Sequence, residues 1–307
     1  MVTKIRSIKT VDFKSIKEIS KVYGVNLKSS KNFEFSIINC KKKGIFYIKK
    51  CKIKLFDEVE SIFFNISTDK KISFNKDKNI VLFSGHGSAK DLIFGKNFID
   101  FLTNVDFDSF DTYQSKLALK LAEPNRSIFV LENRCMGYMN YLGDYKTIDA
   151  YYRLSGGSLM GIWLSDAIFF LDFINSKVIN KSISTFGIST GGFLSLFSSL
   201  YSKNINHVIC QGYLSNFKES YLQDKSSINY IYNLSKYNFH SIFKFLKNIK
   251  RIDIINGELD NFKPSDAFIE IKNARKKYNI HNINFHQKKG LGHKVDLSLV
   301  KSLINEI

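Results

Sequence analysis

The sequence predicts an α/β protein: a mostly parallel, doubly wound sheet with antiparallel strands at its N-terminal end. Three observations predict it. Six short apolar runs, at 80–83, 128–131, 183–186, 207–210, 252–255 and 283–285, lack polar alternation and are bounded by Gly, Asn or Ser, as strands buried on both faces are. Longer segments of helical spacing lie between these runs, and strand–helix–strand repeated this often implies parallel strands. Ahead of residue 79 the pattern is different: 33–65 alternates apolar with polar side chains, the mark of antiparallel strands.

In chain order, Phe33, Phe35 and Ile37, then the run 45–48, then 62–64 form the antiparallel strands. Lys41, Lys42, Lys43, Lys49, Lys50, Lys52 and Lys54 crowd this hairpin and are expected to be a solvated sheet edge. A helix is predicted over 111–122 with Asp111 as its N-cap. Another is predicted over 158–176, where Leu159, Trp163, Phe170 and Ile174 recur at helical spacing. A third spans 190–202 after a Gly-rich turn, and 294–306, with Val295, Leu299, Val300 and Leu303, closes the chain. Residues 214–248, rich in Tyr, Phe and Ser, form a long interval without a strand and are expected to cap a site. The chain therefore divides into a basic, β-rich extension over 1–78 packed on the sheet and one domain over 79–307.

Composition limits the function classes. With 307 residues, 44% of them hydrophobic and 28 Phe, the chain has enough apolar side chain for a thick core, which excludes intrinsic disorder. No unbroken apolar run reaches the ~18 residues of a membrane span. The start of the chain carries Lys4, Arg6 and Lys9 but no apolar stretch, so no secretory signal is read and a cytoplasmic location is expected. Cys40, Cys51, Cys135 and Cys210 are scattered, which points to reduced thiols rather than a disulfide framework or a zinc site. The net charge of +18 would suggest a polyanion partner, yet only six of the 46 basic residues are Arg. Lys, Asn, Ile and Phe are the residues of AT-rich codons, so nucleic acid is not the expected partner. The first 60 residues still hold 15 basic against 6 acidic residues, a local excess of +9.

The sharpest local signal is Phe186-Gly187-Ile188-Ser189-Thr190-Gly191-Gly192, a G-x-S-x-G between a strand and a helix, the turn that displays a nucleophilic Ser. So sharp a turn strains its central residue, and side chains two positions to either side would collide, so Gly187 and Gly191 must be glycine. Ser189 then stands at the carboxyl end of the sheet, where the helix N-terminus favours negative charge. A Ser needs a base within ~3 Å, and the base needs an orienting group. Downstream, the strand 252–255 leads through Gly257 to Asp260, and His293 lies between the last strand and the last helix. The order Ser, Asp, His is a known solution of the triad geometry. Upstream, the strand 80–83 runs into Ser84-Gly85-His86-Gly87-Ser88, which places the backbone N–H of Ser88, with that of Thr190, as the oxyanion hole.

With these four elements in order, residues 79–307 resemble the α/β-hydrolase superfamily, and within it the dienelactone-hydrolase-like and acetyl-xylan-esterase-like branch. Gly157-Ser158-Leu159, Asp166 and Gly191-Gly192 follow that branch's order. The resemblance implies an α/β-hydrolase fold and hydrolysis of a small-molecule or carbohydrate acyl ester through an acyl-enzyme, with neither metal nor cofactor. The loop Glu132-Asn133-Arg134-Cys135-Met136-Gly137 departs from it: relatives more often carry an Asp and a small Gly-rich turn there.

Each assignment has rivals. Glu258 and Asp266 compete with Asp260, and His207, His240, His281 and His286 with His293; position after a strand decides for Asp260 and His293. His86 is read as shaping the oxyanion loop, and Asp144, Asp149, Arg153 and Asp166 as an ionic brace beneath the site. A thioesterase, an amidase or an acyl transferase would use the same triad. The reading from another class is a catalytically idle fold that binds an anionic partner through its Lys-rich N-terminal region.

Overall fold

The alternation over 33–65 becomes three antiparallel strands, β1 (Phe35–Lys43), β2 (Phe46–Lys54) and β3 (Glu60–Ser67), in a computed structural model. The structure describes residues 10–27, 32–74, 76–95, 113–178, 182–214, 231, 234–260 and 264–306. The six apolar runs become β4 (Lys78–Phe83), β5 (Arg126–Leu131), β6 (Ile183–Ile188), β7 (Ile205–Gln211), β8 (Arg251–Gly257) and β9 (Ile283–Lys288). Among the described residues these nine strands form one sheet in the order β1-β2-β3-β5-β4-β6-β7-β8-β9. Pairing is antiparallel from β1 through β3 to β5 and parallel from β5 to β9. The N-terminal strands thus extend the sheet sideways through β3–β5 hydrogen bonds.

Helices cover both faces: α1 (Ile16–Tyr23), α2 (Ala89–Ile93), α3 (Leu117–Leu121), α4 (Tyr145–Leu154), α5 (Leu159–Lys177), α6 (Thr190–Ser198), α7 (Pro264–Tyr278) and α8 (Leu297–Asn305). Within β4, Val81 and Phe83 join a core with residues of α1, α5, α6 and α7, while Ile80 and Leu82 join one with α2, α3 and α8. Side chains alternate across a strand, so a strand covered on both faces must be apolar at every position. That is why these runs show no alternation.

By mean hydropathy, as distinct from unbroken run length, α5 is long and apolar enough to cross a membrane. It is instead the central core helix on its face of the sheet, and 78% of its apolar window is buried inside the protein. The helix predicted over 111–122 is shorter: Ser115 and Lys116 adopt φ of 57° and 51°, a turn that delays the helix to Leu117, and Asp111 lies outside the described residues. The helix predicted over 190–202 ends at Ser198. Of the expected cap, 215–230 and 232–233 lie outside the described residues. Phe239, Ile242 and Phe243 are fully buried in the core, with the Phe239 and Phe197 rings 6.0 Å apart.

The lysine-rich hairpin is not wholly a solvated edge. β2 is flanked by β1 and β3, and Lys49 on it is fully buried. Its Nζ donates to Asn65 Oδ1 at 2.8 Å and Ser67 Oγ at 2.7 Å. Burial pushes its ammonium down to about 8. All four cysteines are free thiols.

Beneath β7, β8 and β9 lies a buried ionic knot. Asp253 accepts from His207 Nε2 at 2.6 Å, His286 Nε2 at 2.7 Å and Arg251 Nε at 2.6 Å. Burial alone would raise the Asp253 carboxyl, but these donors outweigh it and hold it well below the usual carboxylate range. Burial lowers His207, against the pull of Asp253, and its Nδ1 is buried without a partner, so the ring sits neutral with its proton on Nε2. The folded state then disfavours a second proton on His207, so its contribution to stability is lost as pH drops below the unfolded imidazole value of about 6.5. Glu132 and Asp166, which burial pushes up to about 7 and about 6, act in the opposite sense over the same range, so the His207 contribution is read as a difference between proteins. The urea midpoint of wild type should exceed that of His207→Gln by less at pH 5 than at pH 8. A difference that does not change with pH would refute the assignment.

Candidate active site

β6 runs directly into α6, and the residue at the junction, Ser189, has φ 57° and ψ −128°. Such a conformation strains any residue with a Cβ. It is held by close packing on both sides: a Cβ on Gly187 would lie 1.8 Å from the Gly191 carbonyl oxygen, and one on Gly191 would lie 2.1 Å from that of Phe83. The Ser189 amide donates to the Gln211 carbonyl at 2.9 Å. Its side chain makes no capping bond to α6.

Asp260 and His293 come together at the same edge of the sheet. His293 Nδ1 stands 3.0 Å and 3.1 Å from the two Asp260 carboxylate oxygens, with Asp260 buried and the imidazole half-buried. Gly212 explains how β7 passes so near: a Cβ there would lie 2.9 Å from Asp260 Oδ2 and 3.2 Å from His293 Nδ1, and its φ is +59°. Gly212 follows Gln211, the acceptor of the Ser189 amide, so the Ser189 turn and the imidazole–carboxylate pair lie at neighbouring strand ends. The rivals other than Asp266, which lies in the first turn of α7, are engaged elsewhere. Glu258 accepts from the Gly290 amide, His240 pairs with Glu270, His281 with Asn279, and His207 and His286 with Asp253.

The loop 84–88 lies beside this turn: a Cβ on Gly85 would stand 2.9 Å from the Ile188 carbonyl oxygen. β4 and β6 pair with Phe83 opposite Gly187, and Ser88 is the N-cap of α2. Ser88 Oγ donates to Glu132 Oε2 at 2.9 Å, and the Ala89 amide to Glu132 Oε1 at 2.7 Å. Asn133 Nδ2 donates to the carbonyls of Ser84 and Gly85, both at 3.3 Å. Burial pushes the Glu132 carboxyl up to about 7 in spite of its donors. Glu132 and Asn133 are therefore the braces of this loop, a role that sequence reasoning missed. The available signal was a pair of polar residues directly after a buried strand adjacent to β4.

Other sequence-predicted residues fall into place around this. His86 packs edge-on against Tyr145 at 4.8 Å between ring centroids, in line with a shaping role. The expected ionic brace is divided. Asp149 binds Arg153 at 2.7 Å, Asp144 caps α4, and Asp166 pairs with Arg134 at 2.7 Å, which also grips Asp57 in the β2–β3 turn at 2.6 Å. Tyr113, which sequence reasoning passed over, stacks on His293 with ring centroids 5.6 Å apart. Among the described residues no group of three or more His, Cys, Asp or Glu is arranged to hold a metal ion.

Comparison with known proteins bears on the fold. No family model matches the chain, and no curated protein matches it in sequence. Solved structures do match. A Bacteroides fragilis protein assigned as an acetyl xylan esterase superposes with a TM-score of 0.72 at 17% identity, covering 95% of this chain and 85% of that one. A glucuronoyl esterase from Solibacter usitatus gives 0.64 at 11% identity, covering 95% and 91%. Acetyl xylan esterase 1 from Thermoanaerobacterium sp. JW/SL YS485 gives 0.62 at 14% identity, covering 100% and 98%. The chain has the α/β-hydrolase fold.

Proposed function

We propose that this chain is a serine hydrolase that cleaves acyl esters, with O-acyl groups on carbohydrate as its substrate class. The observation that carries the reading is the Asp260–His293 pair, held at the strand ends that also hold Ser189. Because Nδ1 of His293 faces the Asp260 carboxylate, Nδ1 carries the proton and Nε2 keeps the lone pair that a general base requires. Ser189 attacks the acyl carbonyl and His293 Nε2 takes its proton. The tetrahedral oxyanion is held by the amides of Thr190 and Ser88. His293 then returns the proton to the leaving alcohol, and water releases the acyl group by the same route. Asp260 keeps the imidazole in the productive tautomer and stabilises its charged form. The superposing structures named as acetyl xylan esterases support the substrate class, the glucuronoyl esterase supports an ester of a sugar more broadly, and the free thiols accord with a cytoplasmic setting.

The test is acetate release from acetylated xylan and from p-nitrophenyl acetate, together with intact-mass detection of a fluorophosphonate adduct mapped to the Ser189 peptide. One adduct per chain and turnover of both esters are expected. Folded protein that takes no adduct would refute the reading and favour the anion-binding one, whose signature is polyanion affinity that collapses as salt rises.

A further inference from the structure

We infer that Gln211 is the positioning residue that sets the spacing between Ser189 and His293, an inference that rests on the catalytic reading above. Gln211 ends β7 and is buried. Its main chain holds the nucleophile: the carbonyl accepts the Ser189 amide at 2.9 Å. Its side chain holds the base. Nε2 donates to the Lys294 carbonyl at 2.6 Å, and Oε1 accepts the Asp296 amide at 3.3 Å. One residue thus joins the strained turn under Ser189 to the segment immediately following His293.

The loop needs such a tie. Gly290 and Gly292 precede His293, Gly290 at φ +68°, and neither has any atom within 4 Å of where a Cβ would stand. Glycine is the residue with most backbone freedom, so the loop's own sequence restrains it little and its register must come from outside. Gln211 supplies that restraint on one side. On the other, the Val295 amide donates to the Tyr113 carbonyl at 2.9 Å, and the Tyr113 ring stacks on His293 at 28° between planes. Three consecutive residues after His293 are therefore pinned, two of them by one side-chain amide that offers both a donor and an acceptor.

Gln211→Met removes both side-chain bonds at similar volume and leaves the main-chain bond to Ser189. Displacing a general base by about 1 Å costs on the order of 100-fold. The expected result is a roughly 10- to 100-fold fall in kcat, with KM for p-nitrophenyl acetate within about twofold. The fluorophosphonate labelling rate should fall by the same factor at a temperature where the variant is folded, and hydrogen exchange at the Asp296 amide should quicken. Gln211→Glu keeps the acceptor but loses the donor; it should also slow labelling, and it is the variant to read if the Met protein does not fold. Labelling at the wild-type rate in a folded variant, or a loss confined to KM, would overturn the inference while leaving the triad intact. Wild-type protein that takes no adduct would instead sink the nucleophile assignment and this one with it.

Discussion

Ser189→Ala is expected to abolish the fluorophosphonate adduct and to lower kcat for p-nitrophenyl acetate by about a million-fold, the scale seen when a triad serine is removed. The expectation follows from geometry: Ser189 is the hydroxyl lifted by the strained turn to the strand ends where His293 and Asp260 meet. Since its side chain makes no capping bond, the variant should melt close to the wild type, so that lost activity cannot be ascribed to unfolding. Asp260→Asn should cost about 10⁴-fold. An Asn amide can donate to His293 Nδ1, which drives the ring proton to Nε2 and removes the lone pair that accepts the Ser189 proton. Steady-state kinetics on the purified variants decide the matter: more than about 1% residual kcat in Ser189→Ala would move the nucleophile elsewhere.

Gly187→Ala is expected to be severely destabilising. Its Cβ would lie 1.8 Å from the Gly191 carbonyl oxygen and 2.6 Å from the Gly192 amide nitrogen. Both are main-chain atoms of the first turn of a wholly buried helix, so neither can swing aside as a side chain would. Relief requires α6 to separate from β6, and a loss of more than about 4 kcal/mol follows, a large share of a typical domain's 5–15 kcal/mol. Gly292→Ala is the control. It adds the same methyl group where nothing lies within 4 Å, and its urea midpoint should stay near that of the wild type. Equal midpoints for the two variants would show that the turn is looser than its geometry.

The strands were legible because their signals are local. Each of the runs from 80–83 to 283–285 was read as a strand from a few neighbouring residues, and β4 to β9 contain them. The turn at Ser189 was legible for the same reason, since its two glycines clash with atoms only a few residues away or on the adjoining strand. Helix limits were less legible. The turn at Ser115 and Lys116 that shortens α3 leaves no Gly or Pro as a marker.

What lay beyond the sequence depends on residues that meet only when the chain closes. Composition marked Lys49 as a surface charge, but its burial follows from β2 lying between β1 and β3. The partner of Asp166 proved to be Arg134, 32 positions away, rather than the nearer Arg153. Gln211 has no motif at all; its function comes from standing where β7 passes between the Ser189 turn and the His293 loop. The sequence by itself determined which segments are strands and helices, and it carried the Ser, Asp and His whose order along the chain follows a triad. The tertiary structure alone decided which buried polar groups pair and what holds the loops in register. Backbone conformation and apolar periodicity are written in near neighbours, whereas a buried hydrogen bond is chosen by whichever donor and acceptor the packed sheet leaves facing each other.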